Sequence, residues 1–449
     1  MVFVDVSEAR RLLNKLLIFG ALIVPFGSTF AQSKATQGIK IEVQGESLVL
    51  FQIAVPPAIS LNGEADTRGL TESLTGTIRR DLKIAGYFNL ISPDAYLSDP
   101  TKEGMKPRYK NWFNIGTQGL IKVGFAREGS RVRLDMRLYS IDGSKRVKLP
   151  PPYDETIEMP VDAAKIRLHT HGFVDEVINY YTKSPGFFRT RIIAVKRVNR
   201  GKELVMVSPD GLDETRITRS GGINMLPSLG KGRIYFTSFR DGGAHMFVKN
   251  GAKVRSFSAR KGLNTGAAIS PDGKYVAVTL SKDGNPEIYL LHPDTGEIIR
   301  RVTKNWAIDT SPAWSPDGKT LAFVSDRHGS PQIWVTNLES GQARRLTFQG
   351  DYNQTPDWSP RGDLIAFTAR DERAVFDLFT VNVIDGSITR LTQNQGNNEE
   401  PSWSPDGRYL VFTSTRNGRS KLYISTPDGR IQNQISTGKG SYMTPNWER

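Results

Sequence analysis

Cysteine is absent from this 449-residue chain, and histidine is scarce. The lack of cysteine excludes disulfides, thiolate metal sites, a cysteine nucleophile and a lipidated cysteine. The five histidines are His169, His171, His245, His292 and His328. Because they are dispersed along the chain, a histidine cluster that holds a metal ion is not expected. A pair formed by His171 and Asp175, four residues apart on a predicted helix, is favoured over a metal site that uses His169. We therefore predict no metal and no cofactor.

Signatures of catalysis are also lacking. No Gly-x-Ser-x-Gly nucleophile elbow occurs in the chain. The stretch Gly318-Lys319-Thr320 is similar to the end of a phosphate-binding loop, but Ala313 stands where such a loop needs its first glycine. The stretch also follows a predicted turn instead of opening a helix. We therefore predict a protein without catalytic residues.

Long apolar runs are missing from all but the N-terminal part of the chain. There, Arg10, Arg11 and Lys15 precede an apolar run over residues 16–26, and small residues follow it up to Ala31. The run is too short to span a bilayer comfortably, and the pattern is typical of a secretory signal peptide. We predict a signal peptide over residues 1–31 that is cleaved after Ala31. The mature protein is then expected outside the cytoplasm, without membrane insertion.

The net charge is +14, but the distribution of the charges argues against a nucleic-acid partner. Lys and Arg are scattered through turns such as Lys231-Gly232-Arg233 and are not gathered into one stripe. A solvated surface with affinity for acidic partners or an anionic envelope is the favoured interpretation.

An α/β domain is predicted for residues 39–186. A helix with one apolar face begins near Leu70 and ends at Gly86, and an alternating pattern over residues 131–140 predicts a half-exposed strand. Asp162 is expected to cap a second helix. Further strands are predicted over residues 48–55, 87–91 and 119–126. The predicted fold class is two helices on a mixed sheet, followed by an all-β region.

One cassette, Pro-x-Trp-Ser-Pro-Asp-Gly followed by an apolar strand, recurs through the C-terminal part of the chain. The strongest copies start at Pro312, Pro356 and Pro401, weaker copies cover residues 227–232 and 267–273, and a truncated copy, Pro445-Asn446-Trp447, lies near the end. Their closing glycines fall at positions 232, 273, 318, 362 and 407, in steps of 41, 45, 44 and 45 residues. This period is typical of one four-stranded β-propeller blade. Residues 187–449 are therefore predicted to form a six-bladed propeller.

The two ends of the repeat region are expected to complete one blade. Residues 191–218 contain three strand-like runs without a cassette, and residues 442–447 form a cassette strand without followers. Joining them in one sheet leaves no unpaired edge. The repeated tryptophans occupy equivalent positions and are expected to wedge between blades.

Polar residues stand at the start of each predicted innermost strand, where they are expected to ring one mouth of the channel. These rim residues, with Tyr442 at the last position, are Asn224, Asn264, Thr265, Asp309, Thr310, Asn353, Gln354, Asn398, Glu399 and Glu400. They are interpreted either as solvated loop tips or as a recognition surface for a partner protein, whose basic loop would suit the acidic members.

The combination of a signal peptide, a small α/β domain and a propeller of these repeats resembles the TolB family of the Tol-Pal system. The junction carries the most specific likeness, in residues 167–171, Asp175 and residues 182–195. Residues 54–57 and 81–88 are also similar to family features.

The resemblance implies a non-enzymatic periplasmic protein, expected to be a monomer, that supports outer-membrane integrity and cell division. It implies binding of a Pal-like lipoprotein at the rim residues and of a TolA-like inner-membrane protein at Gln32, Ser33 and Lys34, within a flexible segment over residues 32–38. Ser311 stands where an acidic residue similar to Glu400 is expected, so partner contacts are expected to differ in detail. The alternative is a secreted propeller that binds or cleaves envelope carbohydrate.

Overall fold

The computed structural model describes residues 50–199 and 201–449. The described residues form two compact units, which divide between Thr190 and Arg191, with Ser208–Asp210 belonging to the first unit. The predicted domain boundary after residue 186 lies four residues before this division. The predicted signal peptide, its cleavage site at Ala31, and Gln32, Ser33 and Lys34 lie outside the described residues.

The first unit is a mixed β-sheet with helices. Its strands are β1 (Phe51–Ala54), β2 (Ile59–Ser60), β3 (Phe88–Leu90), β4 (Gly119–Glu128), β5 (Arg131–Ser140), β6 (Lys145–Val147) and β7 (Ile157–Pro160). The sheet order is β3-β1-β4-β5-β6, with β2 paired to β4 and β7 paired to β5. β1 runs parallel to β3 and β4, whereas β5 is antiparallel to its neighbours. The α-helices of residues 50–190 are α1 (Leu70–Ala85), α2 (Tyr109–Asn114) and α3 (Ala163–Thr182).

The helix signals in the sequence are confirmed. The apolar face of α1 is buried through Leu74, Ile78 and Leu82, and the helix ends where Gly86 adopts a left-handed conformation with φ 75°. The Asp162 side chain accepts a hydrogen bond from the Lys165 backbone N–H at 3.1 Å and caps α3. β5 matches its predicted bounds, but its polar face is less exposed than expected, because Asp135 is 6% exposed and pairs with Arg137 at 2.6 Å.

The second unit is a propeller of six four-stranded blades, which confirms the predicted fold class. Blade 1 contains β8 (Ile192–Val198), β9 (Gly201–Val207), β10 (Glu214–Arg216) and β31 (Tyr442–Trp447); blade 2 contains β11 (Asn224–Gly230), β12 (Arg233–Ser238), β13 (His245–Asn250) and β14 (Lys253–Ser258). Blade 3 contains β15 (Asn264–Ile269), β16 (Val276–Leu280), β17 (Glu287–Leu291) and β18 (Ile298–Arg301); blade 4 contains β19 (Asp309–Trp314), β20 (Thr320–Ser325), β21 (Gln332–Asn337) and β22 (Ala343–Arg345). Blade 5 contains β23 (Asn353–Trp358), β24 (Leu364–Arg370), β25 (Phe376–Asn382) and β26 (Ile388–Arg390); blade 6 contains β27 (Asn398–Trp403), β28 (Leu410–Ser414), β29 (Lys421–Ser425) and β30 (Gln432–Gln434).

Ring closure follows the predicted scheme. β31 pairs antiparallel with β8, so the C-terminal cassette strand is the inner strand of the blade that begins with residue 192. Closure in this way pairs the first and last blades and removes a free sheet edge.

The cassette residues serve as scaffold. The indole N–H groups of Trp314 and Trp403 donate to the carbonyl oxygens of Ala268 and Asp357, which lie on the inner strand of the preceding blade, at 2.9 and 3.0 Å. The predicted wedging of tryptophan between blades is thereby confirmed. The closing glycine of each cassette adopts a positive φ, between 67° and 86°, which glycine tolerates without strain. At Gly407 a Cβ would also lie 2.7 Å from Arg361 Cγ of the preceding turn. Within residues 50–199 and 201–449, no helix is both long and apolar enough to cross a membrane.

Candidate functional site: the mouth of the propeller channel

A channel of about 1300 Å³ runs along the propeller axis, between the six inner strands. One mouth lies where the inner strands begin, and the other lies at the cassette turns, because each inner strand runs from the first end to the second. Cavities that combine an apolar lining with a few polar groups are typical binding sites in proteins.

Each inner strand carries a β-bulge that shapes the channel wall. The register shift falls in the same place in all six strands, and one residue there adopts a positive φ. These residues are Leu226, Gly266, Ser311, Thr355, Glu400 and Thr444, with φ between 43° and 66°. All six line the channel. A left-handed conformation costs a non-glycine residue about 1–2 kcal/mol, and bulges re-aim side chains next to binding sites. The repeated strain therefore marks the channel wall as the candidate functional surface.

The acidic part of the wall is formed by two neighbouring residues of β27. The Glu400 carboxylate accepts hydrogen bonds from the Thr444 backbone N–H and from Thr413 Oγ1, which ties it to blade 1 and to β28. Glu399 also lines the channel. Among the described residues its carboxylate has no hydrogen-bond or ion-pair partner. Burial, together with the neighbouring Glu400 charge, raises the pKa of Glu399 to about 7.

Most of the predicted rim residues are buried, which corrects the expectation that they are exposed to a partner. The buried members are Asn224, Asn264, Thr265, Asp309, Thr310, Asn353, Asn398 and Tyr442, each at most 6% exposed. Gln354, Glu399 and Glu400 are partly buried and line the channel. The role of these residues in partner binding stays a prediction.

The buried rim residues fasten neighbouring blades to each other. Asn398 of blade 6 donates to the Asp377 carboxylate of blade 5 at 2.9 Å, and Asn353 of blade 5 donates to Gln332 Oε1 of blade 4 at 3.0 Å. Asn224 of blade 2 donates in the same way to Glu203 Oε2 of blade 1, also at 3.0 Å. In each case the acceptor is at or near the start of a third strand. A buried amide with its hydrogen bonds made contributes to stability, and its removal leaves the buried acceptor partly unsatisfied.

The outermost ring of the mouth consists instead of six loops that join each outer strand to the next inner strand. We call them the rim loops: residues 219–223, 259–263, 304–308, 348–352, 393–397 and 437–441. Each is five residues long and follows an apolar residue and a Ser or Thr, as in Val302-Thr303 and Leu346-Thr347. The hydroxyl accepts a backbone N–H of the third strand, for example Ile288 N–H to Thr303 Oγ1 at 2.9 Å. This spacing is a sequence signal for the rim that the cassette alone does not reveal.

A second polar cluster lies in the first unit, and it corrects the predicted partner of His171. His171 Nδ1 lies 2.7 Å from Asp81 Oδ2, whereas Asp175 accepts from the Phe188 N–H at 2.9 Å and pairs with Arg189. The α1–α3 packing brings Asp81 and His171 together, 90 residues apart in sequence.

The same cluster has the residue types of a metal site, but a neighbouring arginine already supplies positive charge. Asp81, His171 and Asp210 each place one candidate ligand atom within 4.8 Å of the others. The Arg167 guanidinium forms an ion pair with Asp210, and it supplies positive charge that a metal would otherwise bring. His169 lies in α3 beside this cluster, and His245, His292 and His328 lie at or beyond strand ends of different blades. We assign the cluster a structural role.

Comparisons with known proteins agree with this architecture. The model of the TolB amino-terminal domain matches residues 39–147, and that of the TolB beta propeller domain matches residues 179–447. The chain is 40% identical over 417 residues to the Tol-Pal system protein TolB of Myxococcus xanthus, covering 92% of this chain and 94% of that protein. It is 34% identical over 300 residues to the TolB of Desulfosudis oleivorans, 66% of each chain. The crystal structure of TolB from Acinetobacter baumannii superposes with a TM-score of 0.76 at 24% identity, covering 92% of this chain and 98% of that chain.

Proposed function

The chain belongs to the TolB family of Tol-Pal system proteins, and on that premise we propose that it is a periplasmic, non-enzymatic scaffold. In this proposal the propeller mouth binds a Pal-like lipoprotein, and Gln32, Ser33 and Lys34 of the mature N-terminus bind a TolA-like inner-membrane protein. A scaffold with these two partners would link the layers of the envelope, and so support outer-membrane integrity and invagination during division.

The main support for binding of a Pal-like protein at the mouth is the Glu399 carboxylate. It sits in the channel wall without a partner among residues 50–199 and 201–449, and burial raises its pKa to about 7. A Lys or Arg side chain entering the channel would supply the missing charge and favour the ionised carboxylate. The occupant that fits is therefore a protein loop with a basic tip.

The channel wall is suited to an inserted loop of protein more than to a sugar. The mouth-proximal wall presents Glu399, Glu400, Thr355 and Gln354, which offer charge and hydrogen bonds, and the apolar wall is made of short side chains such as Ala267 and Pro312. The six bulge residues carry no aromatic ring, although the rings of Tyr352 and Phe376 line the channel elsewhere. We favour a protein loop over a carbohydrate because of the charged and amide groups near the mouth.

The TolA-like interaction rests on the family alone, because residues 32–38 lie outside the described residues. Deletion of residues 32–38 is expected to abolish binding of a TolA-like protein. The Pal-like interaction should survive the deletion, since its proposed site is the propeller mouth.

Titration of the lipid-free Pal-like domain of the same organism tests the proposal. We expect a one-to-one complex with the wild-type protein and a dissociation constant about tenfold higher for Glu399→Gln, because the amide keeps the shape but loses the charge. Asp363→Asn is the matched control, since Asp363 is an exposed carboxylate at the cassette-turn end of blade 5. No binding to the wild-type protein, or binding of envelope glycans alone, would overturn the proposal.

A further inference from the structure

Two of the six rim loops present a large aromatic side chain to solvent. Trp306, at the third position of the loop between blades 3 and 4, is 77% exposed, and Phe348, at the first position of the next loop, is 70% exposed. The other rim loops are rich in glycine and polar residues, and their most exposed large apolar residue is Ile223, at 38%. Single exposed apolar residues are common. Two exposed aromatic rings on neighbouring loops of one mouth form an apolar patch, and such patches are typical of interaction sites.

The loop that carries Trp306 is held rigid on both sides of the indole. Asn285 Nδ2 donates to the carbonyl oxygens of Asn305 and Ala307 at 2.8 and 2.6 Å. The Asn305 backbone N–H donates to Glu287 Oε1 at 2.8 Å, and the Asn305 side chain donates to Asp309 Oδ2 at 3.2 Å. The backbone therefore presents the exposed indole on a fixed platform.

The loop that carries Phe348 is held in an equivalent way. Gln332 Nε2 donates to the Gly350 carbonyl oxygen at 2.9 Å, and Asn353 Nδ2 donates to the Gln349 carbonyl oxygen at 3.0 Å. The Arg345 guanidinium lies 4.9 Å from the centre of the Phe348 ring. Asp309 and Asn353, expected from sequence to touch a partner, here hold the loops whose aromatic side chains are exposed.

We propose that Trp306 and Phe348 are the anchor residues that bind apolar side chains of the partner protein around the channel mouth, outside the channel itself. This inference rests on the proposed function, because it assigns to the Pal-like domain a second contact area beside the channel. Aromatic residues dominate the binding energy of protein interfaces, and rigid presentation lowers the entropy lost on binding.

The charged residues around the two aromatic rings indicate which charges a binding partner would carry. Lys261, Lys304 and Lys439 are exposed on rim loops. The channel wall contains the acidic side chains Glu399 and Glu400 together with the basic side chains Lys202 and Arg370. The rim loops are thus basic, and within the channel the Glu399 carboxylate is the acidic group that has no partner among the described residues. The complementary surface is a protein domain with a basic tip, apolar side chains beside the tip and acidic residues further out.

The test compares single variants in titrations with the lipid-free Pal-like domain. We expect Trp306→Ala and Phe348→Ala each to raise the dissociation constant at least about tenfold, chiefly through faster dissociation. Trp306→Phe should recover part of the affinity, because it restores an aromatic ring. Ile384→Ala is the matched control: Ile384 is 91% exposed in the loop between β25 and β26, at the opposite end of blade 5.

The outcomes separate this inference from the proposed function. If the wild-type protein does not bind the Pal-like domain, the proposed function fails. If the wild-type protein binds and both alanine variants bind as tightly as Ile384→Ala, only the anchor assignment fails. Loss of binding to peptidoglycan fragments in Trp306→Ala, with unchanged affinity for the Pal-like domain, would also overturn it. Thermal unfolding of each variant should match the wild type, because both rings are largely exposed.

Discussion

Replacing Asn398 with alanine separates the structural role of a buried rim residue from a role in partner binding. Asn398 is fully buried and makes three hydrogen bonds: to Asp377 at 2.9 Å, to the Gly396 carbonyl oxygen at 3.1 Å, and from Arg416 at 3.0 Å. Two of these bonds involve charged groups, which contribute more than neutral pairs. Asp377 keeps its bonds to Arg390 and Thr392 after the substitution. The expected loss is therefore about 2–4 kcal/mol in the free energy of unfolding.

Urea unfolding followed by tryptophan fluorescence measures this loss, since the chain has seven tryptophans. The dissociation constant for the Pal-like domain, measured at low temperature where the variant is folded, should stay within about twofold of the wild-type value, because the amide does not reach solvent. Trp306→Ala is expected to show the reverse: normal stability and weakened binding. A folded Asn398→Ala protein of wild-type stability that binds the Pal-like domain tenfold less tightly would instead show that Asn398 takes part in partner binding.

Burial raises the pKa of the Glu399 carboxyl group from its ordinary value of 4.5 to about 7. The protonated carboxyl group therefore contributes stability below pH 4.5, and this stability is lost as the pH rises through 7. We expect Glu399→Gln to unfold at a higher urea concentration than the wild type at pH 8, but not at pH 4. Deleting residues 442–449 removes the inner strand of blade 1, and we expect loss of the cooperative propeller transition in calorimetry; a sharp transition at the wild-type temperature would contradict the closure. His171→Gln should destabilise the first unit by about 1–3 kcal/mol in urea unfolding, since it removes the imidazole that lies 2.7 Å from the buried Asp81 carboxyl group. Asp81→Asn in the same chain should recover part of this loss, and unchanged stability of His171→Gln would contradict the structural role of the pair.

The periodic features were predictable from sequence because they depend on local chemistry. The residues of the Ser-Pro-Asp-Gly turn determine its backbone angles, so the spacing of the turns predicts the number of blades. The truncated copy at Trp447 predicts that the last strand completes the first blade. The bounds of α1 follow from the four-residue spacing of its buried leucines and isoleucine and from Gly86.

The burial of the rim residues was not predictable from the cassette. An asparagine at the start of a strand is equally compatible with a solvated loop tip and with a buried link, and the difference lies in partners such as Asp377 and Arg416, which are 21 and 18 residues from Asn398. In four of the six repeats an apolar residue is followed by Thr or Ser, five further residues and Asn; Asp309 and Tyr442 stand at the Asn position in the other two. This spacing contains the missing information. Similarly, the four-residue spacing of His171 and Asp175 suggested a local pair, whereas helix packing provides Asp81 from 90 residues away.

Site-specific photocrosslinking shows directly whether the partner docks at the mouth where the inner strands begin. A photoreactive amino acid would replace either Gln354, in the channel wall near this mouth, or Lys319, exposed beside a cassette turn at the other end. We expect a crosslink between the Pal-like domain and position 354 and none at position 319. A crosslink at position 319 alone, or none at position 354 in a variant that still binds the domain, would contradict this expectation.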